Sequence, residues 1–322
     1  MSPPRISIAM ATYNGARFIE QQLESFAAQT LPPAELVVTD DGSTDGTIEI
    51  VDRFASQAAF PVHVHRNPEQ LGYTRNFSRA ASLCTGDLVC FSDQDDRWHP
   101  AKLAKVAEEF AGKPGICLIV NDQAITDADL NPSGATIFGN NRRLGFPDSN
   151  LIAGCCTTVR RELLEVLLPF PPEIPYDEWL GAMTELLGVK ALIEEPLQDY
   201  RRYGDNTTDP IFAADALTRW SLFRHFGLAD PRRAWMQQIE RTSVFEQRIC
   251  DQREILKATA GAEAVNRALE MLDDRRNWLR TRVRLLELSR LLRLPRVFGL
   301  WRRGFYTRQF GLKSAIKDAV RR

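Results

Sequence analysis

Several common signatures are missing from this chain, and each absence removes a class. No stretch of about 20 uninterrupted apolar residues occurs in the 322 residues, so no membrane-spanning helix is expected. Cysteine is sparse: six residues, at 84, 90, 117, 155, 156 and 250, form no Cys-x-x-Cys. The apolar settings of Cys84, Cys90 and Cys117 read as core thiols, which favours a reducing compartment and argues against a zinc site. An excess of one charge is also missing. The formal net charge is −1, so no nucleic-acid partner is expected. There is no Gly-x-x-x-x-Gly-Lys-Ser/Thr, no Gly-x-Gly-x-x-Gly after the first apolar run and no Gly-x-Ser-x-Gly. The start, Met1-Ser2-Pro3-Pro4-Arg5, leads into a strand without the apolar region of a signal peptide. A cytoplasmic protein is expected. No internal repeat or low-complexity tract is visible.

What is present is alternation. Short apolar runs at 6–11, 36–39, 62–65, 87–91 and 117–120 read as strands, with helical spacing at 18–26, 48–54, 74–83 and 100–110 between them. Strand, helix, strand, helix through about 120 residues predicts a mostly parallel sheet flanked by helices. Three strand ends carry polar loops, 12–14, 40–45 and 93–96. In such a sheet they emerge on one edge and can meet one ligand. The last is the richest: Ser92-Asp93-Gln94-Asp95-Asp96-Arg97-Trp98 crowds three carboxylates, which calls for a cation. Hard oxygen ligands suit Mg²⁺ or Mn²⁺, ions that travel with phosphates.

Residues 122–150 are irregular. A strand is expected over 152–159, a helix over 161–168, a helix running to Leu187 with Asp177 as its N-cap, and a strand over 191–194. Beyond Pro210 the pattern turns helical, over 216–226, 232–257 and 263–294, with a turn at Ala260-Gly261. The domains expected are 1–210, in halves of about 1–120 and 121–210, and a helical region 211–322. From Leu291 onward there are nine Lys or Arg and one acid, Asp318, interleaved with Trp301, Phe305, Tyr306, Phe310, Leu312 and Ile316. A basic, aromatic segment at 296–322 suits an anionic membrane surface. A tail packed on the acidic domain, or a disordered end, is the other reading.

Taken together, Thr12-Tyr13-Asn14-Gly15, Asp40-Asp41-Gly42-Ser43-Thr44-Asp45-Gly46-Thr47, Gly72-Tyr73-Thr74-Arg75-Asn76, the 92–98 segment and Asp177-Glu178-Trp179 resemble the family 2 glycosyltransferases of GT-A fold. The resemblance covers roughly residues 5–210 and is strongest to the rhamnosyltransferase-like branch of bacterial surface polysaccharide synthesis. It implies a GT-A-like sheet with a helical C-terminal appendage and a nucleoside-diphosphate-sugar donor. It also implies a saccharide acceptor, often lipid-linked, and a place at the cytoplasmic face of the inner membrane. By the same resemblance Thr12 and Asn14 lie against the nucleotide, and Asp41, with Asp40 beside it, accepts a bond from the pyrimidine ring. Arg75 is a basic position near the nucleotide. Asp93 and Asp95 form the Asp-x-Asp motif, with Asp95 holding a Mn²⁺ or Mg²⁺ ion, and Asp177 is the general base.

The residue types suit that chemistry. A leaving diphosphate gains negative charge that a divalent cation stabilises, and a positioned carboxylate can take the proton of the attacking hydroxyl. The rival readings are specific too. Asp40–Asp45 suits a simple turn, Glu178 is a second candidate base, Trp179 suits packing or an acceptor wall, and Arg201 and Arg202 suit either a diphosphate or a solvated surface. The family often has a His before Gly-x-Asn after the base; here Tyr203 stands there, a poor ligand for such ions. His63, His65, His99 and His225 read as structural. A sugar nucleotidyltransferase would need a Gly-rich basic loop after the first strand, which residues 11–17 do not supply. A non-catalytic glycan- or nucleotide-binding protein on a degenerate transferase fold has Tyr203 in its favour, and Asp93, Asp95 and Asp177 against it.

Overall fold

The computed structural model describes residues 3–204, 230–306 and 311–321. The expected helix 216–226, His225, Asn206, Arg308 and Phe310 lie outside the described residues. The chain divides into two compact units, Met1–Ala214 with Ile255–Gly261, and Asp215–Glu254 with Ala262–Arg322.

The first unit opens with β1 (Ile6–Thr12), α1 (Ile19–Ala27), β2 (Glu35–Asp40), α2 (Thr47–Ala55), β3 (Val62–Arg66), α3 (Tyr73–Leu83) and β4 (Leu88–Ser92). β2 and β4 are buried along their whole length and β1 almost so, because helices cover both faces of a parallel sheet; their sequences are therefore continuous apolar runs. β3, at the sheet edge, has no fully buried residue. Then follow β5 (Arg97–Trp98), α4 (Lys102–Gly112), β6 (Leu118–Thr126), β7 (Pro132–Thr136), α5 (Ile137–Leu144), β8 (Thr157–Arg160), α6 (Arg161–Leu167), α7 (Tyr176–Leu187) and β9 (Lys190–Arg201). The sheet order is β3-β2-β1-β4-β8-β6-β9-β5, with β7 on β6. β1, β2, β3 and β4 pair in parallel, β8 runs against β4 and β6, and β9 is parallel to β6. Ile8, Met10, Ile19, Leu23, Phe26, Leu36, Trp98 and Leu103 are part of one buried core.

Three expectations change. The strand foreseen at 152–159 begins only at Thr157, because 154–156 forms a 3-10 turn. That turn packs so closely that a Cβ on Gly154 would stand 1.8 Å from the Tyr176 hydroxyl. The strand foreseen at 191–194 is 12 residues long, and 132–144, irregular by sequence, forms β7 and α5.

The second unit is helical. The described helices beyond residue 230 are α8 (Arg232–Asp251), α9 (Arg253–Ala260), most of which belongs to the first unit, α10 (Ala262–Leu286), α11 (Arg290–Arg302) and α12 (Gly311–Val320). The helix foreseen over 263–294 breaks after Leu286. The buried Arg293 guanidinium donates to the carbonyls of Leu286 (3.2 Å) and Leu288 (2.9 Å), groups that a helix end leaves unsatisfied. Arg282 and Asp318 form a buried ion pair at 2.6 Å, with the guanidinium over the rings of Trp235 and Trp278. Tyr306 donates to the same carboxylate at 3.2 Å and packs with Leu285, Val297 and Ala315. The described end of the chain is therefore folded, and Tyr306, Asp318 and Arg321 belong to the interior of this unit.

Candidate active site

Sheet register decides where the polar loops go. Thr12 stands opposite Asp40, and Met10 opposite Ser92, so β1, β2 and β4 end nearly level and their loops leave one edge. Side chains then tie these loops together. Thr12 Oγ1 donates to Asp40 Oδ1 at 2.8 Å. Asn14 donates its backbone N–H to Ser43 Oγ and accepts from the Thr44 N–H, both at 2.9 Å. Ala16 N–H donates to Asp45 Oδ2 at 3.0 Å. The Gln94 amide closes a two-bond ring with the Tyr13 backbone, each bond 3.0 Å. Gly15 is what lets Gln94 lie so close: a Cβ there would stand 2.3 Å from Gln94 Oε1. Asn14 has a φ of +48°, a left-handed conformation that Asn tolerates better than most residues.

Asp40 is committed to its own turn, accepting from the Gly42 and Ser43 N–H groups as well as from Ser43 Oγ. Asp41 is buried and reaches the other way. Its Oδ1 accepts from Asn67 Nδ2 and the Leu71 N–H, and its Oδ2 from the Gly72 N–H, so it shapes the loop before α3. Arg75, in the first turn of α3, is exposed and has no ion pair among the described residues.

The three acids after β4 differ from one another. Asp93 has its pKa pushed up to about 7, first by burial and then by the Asp95 charge. Asp96 is fully buried, and burial followed by the charges of Asp95 and Asp93 raises it well above the ordinary carboxylate range. Burial raises Asp95 as well, and a hydrogen bond from Tyr203 draws it back. That bond, Tyr203 hydroxyl to Asp95 Oδ2, measures 2.5 Å. Carboxyl oxygens of Asp93 and Asp96 and the Cys155 sulfur lie within 4.8 Å of one another; Asp95 is outside that set. Crowded carboxyls raised by burial and mutual repulsion are a donor set that a hard divalent cation would suit.

β9 supplies the support. Gln198 Nε2 donates to Asp96 Oδ2 at 2.8 Å, and Lys102 Nζ donates to Gln198 Oε1 at 2.5 Å and to the Cys155 carbonyl at 3.1 Å. Lys102 is fully buried, with its ammonium 3.8 Å from the Trp98 ring centre. Asp199 binds Arg97 at 2.6 Å and His99 at 3.1 Å. Arg201 fits neither of its expected settings: it is 2% exposed, stacks on Phe18, and donates to the backbone carbonyls of Asp95 and Ala128. It props the acid loop from beneath. Arg202 lies over the Tyr200 ring.

Asp177 sits in the first turn of α7. Pro175 holds the N-cap position, so the expected capping role falls away. Tyr176, stacked on Phe77 at 4.3 Å and flanked by Phe91 and Phe170, fixes that turn. Burial raises the Asp177 pKa, and its charge is felt by both Asp93 and Tyr73. Trp179 is buried with its indole N–H on the Leu167 carbonyl at 3.1 Å, a packing residue and not a wall. Sequence reasoning passed over Lys102, Gln198 and Cys155.

Polar loops gathered on one edge of an α/β sheet, an acid cluster at the end of β4 and the part-buried Asp177, whose charge reaches Asp93, form one candidate site of a transferase class. Residues 7–168 match the family Glycosyl transferase family 2, and the chain belongs to that family. An uncharacterized glycosyltransferase of Nostoc sp. is 28% identical over 218 residues, 63% of this chain and 66% of that protein. The dTDP-rhamnosyl transferase RfbG of Shigella flexneri is 34% identical over 119 residues, 35% of this chain and 38% of its own. The chain thus spans less than two thirds of each of these two relatives. Among solved structures, the mannosyltransferase PcManGT of Pyrobaculum calidifontis, in complex with GDP-Man and Mn²⁺, superposes with a TM-score of 0.52 at 19% identity, over 99% of this chain and 87% of that one. S. aureus TarS 1–349 in complex with UDP gives 0.51 at 18% identity, over 86% and 91%. The fold is GT-A-like.

Proposed function

We propose that this transferase is metal-dependent and inverting, and that it moves a sugar from a nucleoside-diphosphate donor to a saccharide carried on a lipid during surface-polysaccharide synthesis. Residues 1–210 would carry the transfer, with the donor on the 1–120 half and the acceptor on the 121–210 half. The observation that carries this reading is the placing of Asp177, raised by burial, within electrostatic reach of the Asp93–Asp96 cluster. Rhamnose is the proposed sugar, on the strength of the Shigella relative's name. The helical region, with its basic residues over 296–322, would hold the protein to the cytoplasmic face of an anionic membrane. No helix among the described residues is long and apolar enough to cross one.

Asp93 and Asp95, with Asp96 behind them, would hold a Mn²⁺ or Mg²⁺ ion. Such an ion supplies Lewis-acid stabilisation of the charge that grows on the departing diphosphate. Asp177 takes the proton of the acceptor hydroxyl, and the oxygen attacks the anomeric carbon from the face opposite the diphosphate. The bond to the diphosphate breaks, and one displacement inverts the centre. A raised pKa makes Asp177 a stronger base than a free aspartate. Asp41 Oδ2 carries one hydrogen bond and can accept a second from a pyrimidine N–H, while Thr12 and Asn14 would hold the loop beneath the nucleotide and Arg75 would lie near it.

Asp177→Asn tests the assignment. Donor binding is expected to persist and transfer to fall by about 10²–10⁴-fold, the usual contribution of a positioned base. Normal turnover would place the base elsewhere.

A further inference from the structure

We infer that α11, with the end of α10, forms a docking face for an anionic lipid bilayer, with a cationic cleft beside an apolar stripe. This rests on the membrane reading above and replaces its diffuse basic tail with a built surface.

The stripe comes first. Leu291, Leu294, Phe298 and Trp301 follow one another at helical spacing on α11 and are 85%, 52%, 58% and 45% exposed. Phe298 and Trp301 stack on each other, ring centres 5.9 Å apart. The opposite side of the same helix is the packed one, through Arg293 and Val297. The helix is packed on its inner side, and its continuous large-apolar outer side has no partner among the described residues.

Beside the stripe lies a cleft of about 460 Å³, lined by Arg284, Leu285, Leu288, Arg296, Leu300 and Arg303 among others. None of the three arginines makes an ion pair or a side-chain hydrogen bond among the described residues. Other arginines of this unit are spent: Arg282 on Asp318, and Arg276 on Glu246 and Asp273. Three guanidinium groups without counter-ions around an apolar floor suit an anionic head on an apolar body. With Phe298 and Trp301 alongside, the matching surface is that of a lipid leaflet, with apolar side chains entering the acyl boundary and arginines meeting the phosphates. Tyr306, Asp318 and Arg321 of the described tail are not available for this role, because they are interior.

The test uses the full chain and sedimentation with vesicles of phosphatidylcholine alone, or mixed in equal parts with phosphatidylglycerol. Wild-type protein is expected to bind the mixed vesicles and not the neutral ones. Arg296→Gln with Arg303→Gln should weaken that binding by roughly 25-fold, about fivefold per arginine near the surface. Phe298→Ser should weaken it at unchanged charge. Arg233→Gln with Arg267→Gln, a pair of exposed arginines elsewhere in the unit, removes the same charge and should change binding less than about twofold. Equal losses in the two arginine pairs, or full binding by Phe298→Ser, would overturn the docking face while leaving the membrane reading in place. Failure of the wild type to bind mixed vesicles would overturn both.

Discussion

The hydroxyl of Tyr203 stands 2.5 Å from Oδ2 of Asp95, and the ring is fixed against Phe18 at 4.7 Å. Burial, then the Asp95 charge, keeps the phenol protonated, so it remains a donor. Tyr203, at the place where the family resemblance led to the expectation of a His, is therefore a hydrogen-bond donor to the acid proposed for the metal, and it would compete with a cation for that oxygen.

Removal of that competition has a measurable sign. Tyr203→Phe is expected to tighten Mn²⁺ binding without nucleotide by about tenfold or more, since a hydrogen bond to a charged group is worth about 1.5–3 kcal/mol. Calorimetric titration of the free protein with Mn²⁺ reads it. Equal or weaker affinity in the variant would show that Asp95 Oδ2 is not a ligand.

Lys102 is a buried cation whose charge lowers the Asp93 pKa and whose ammonium joins the Gln198 and Cys155 oxygens. Lys102→Met keeps most of the length of the side chain and removes its charge and donors. A loss of about 3–5 kcal/mol is expected, as when one partner of a buried charged network is deleted. Urea unfolding measures it. A loss below about 1 kcal/mol would make the lysine a packing residue only.

Asp199 should give the fold an acid-sensitive component. Burial alone would raise its pKa, but bonds from His99 and Arg97 bring it below the ordinary 3.8. A carboxylate whose folded pKa is lowered contributes stability above the unfolded value and loses it as pH falls through the folded one. Asp199→Asn is therefore expected to cost about 1.5–3 kcal/mol near neutral pH and to converge on wild type as pH drops below 3.8. A difference independent of pH would assign the loss to packing.

How much of this could be read in the sequence depends on where partners lie along the chain. β1, β2 and β4 were legible because a strand covered on both faces must be apolar throughout. β9 was legible only over 191–194: Glu194, Glu195 and Pro196 interrupt it, and its last residues, Gln198, Asp199 and Arg201, are polar yet buried. Their partners, Asp96, Arg97 and Asp95, lie about a hundred positions earlier, and no local pattern reports such a pairing. The acid loop itself was visible as a crowd of carboxylates. Its supports, Lys102 and Cys155, were not, since a lysine on a helix and a thiol in an apolar run look like surface and core. Asp177 was visible as a helix-start acid, but only the geometry shows that Pro175 takes the capping position. The break after Leu286 depends on Arg293 folding back on two carbonyls, which periodicity does not record.

The central claim is that the Asp93–Asp96 cluster and the loops tied to it bind a nucleoside diphosphate through a divalent cation. Thermal unfolding of the wild type and of Asp95→Ala, with UDP, dTDP, GDP or CMP and with or without Mn²⁺, tests it most directly. One nucleoside diphosphate should stabilise the wild type only when Mn²⁺ is present, by about 2.7 kcal/mol at 100 times its dissociation constant, and Asp95→Ala should lose that response. A wild-type protein whose unfolding moves with none of the four nucleotides, with or without Mn²⁺, would contradict the account.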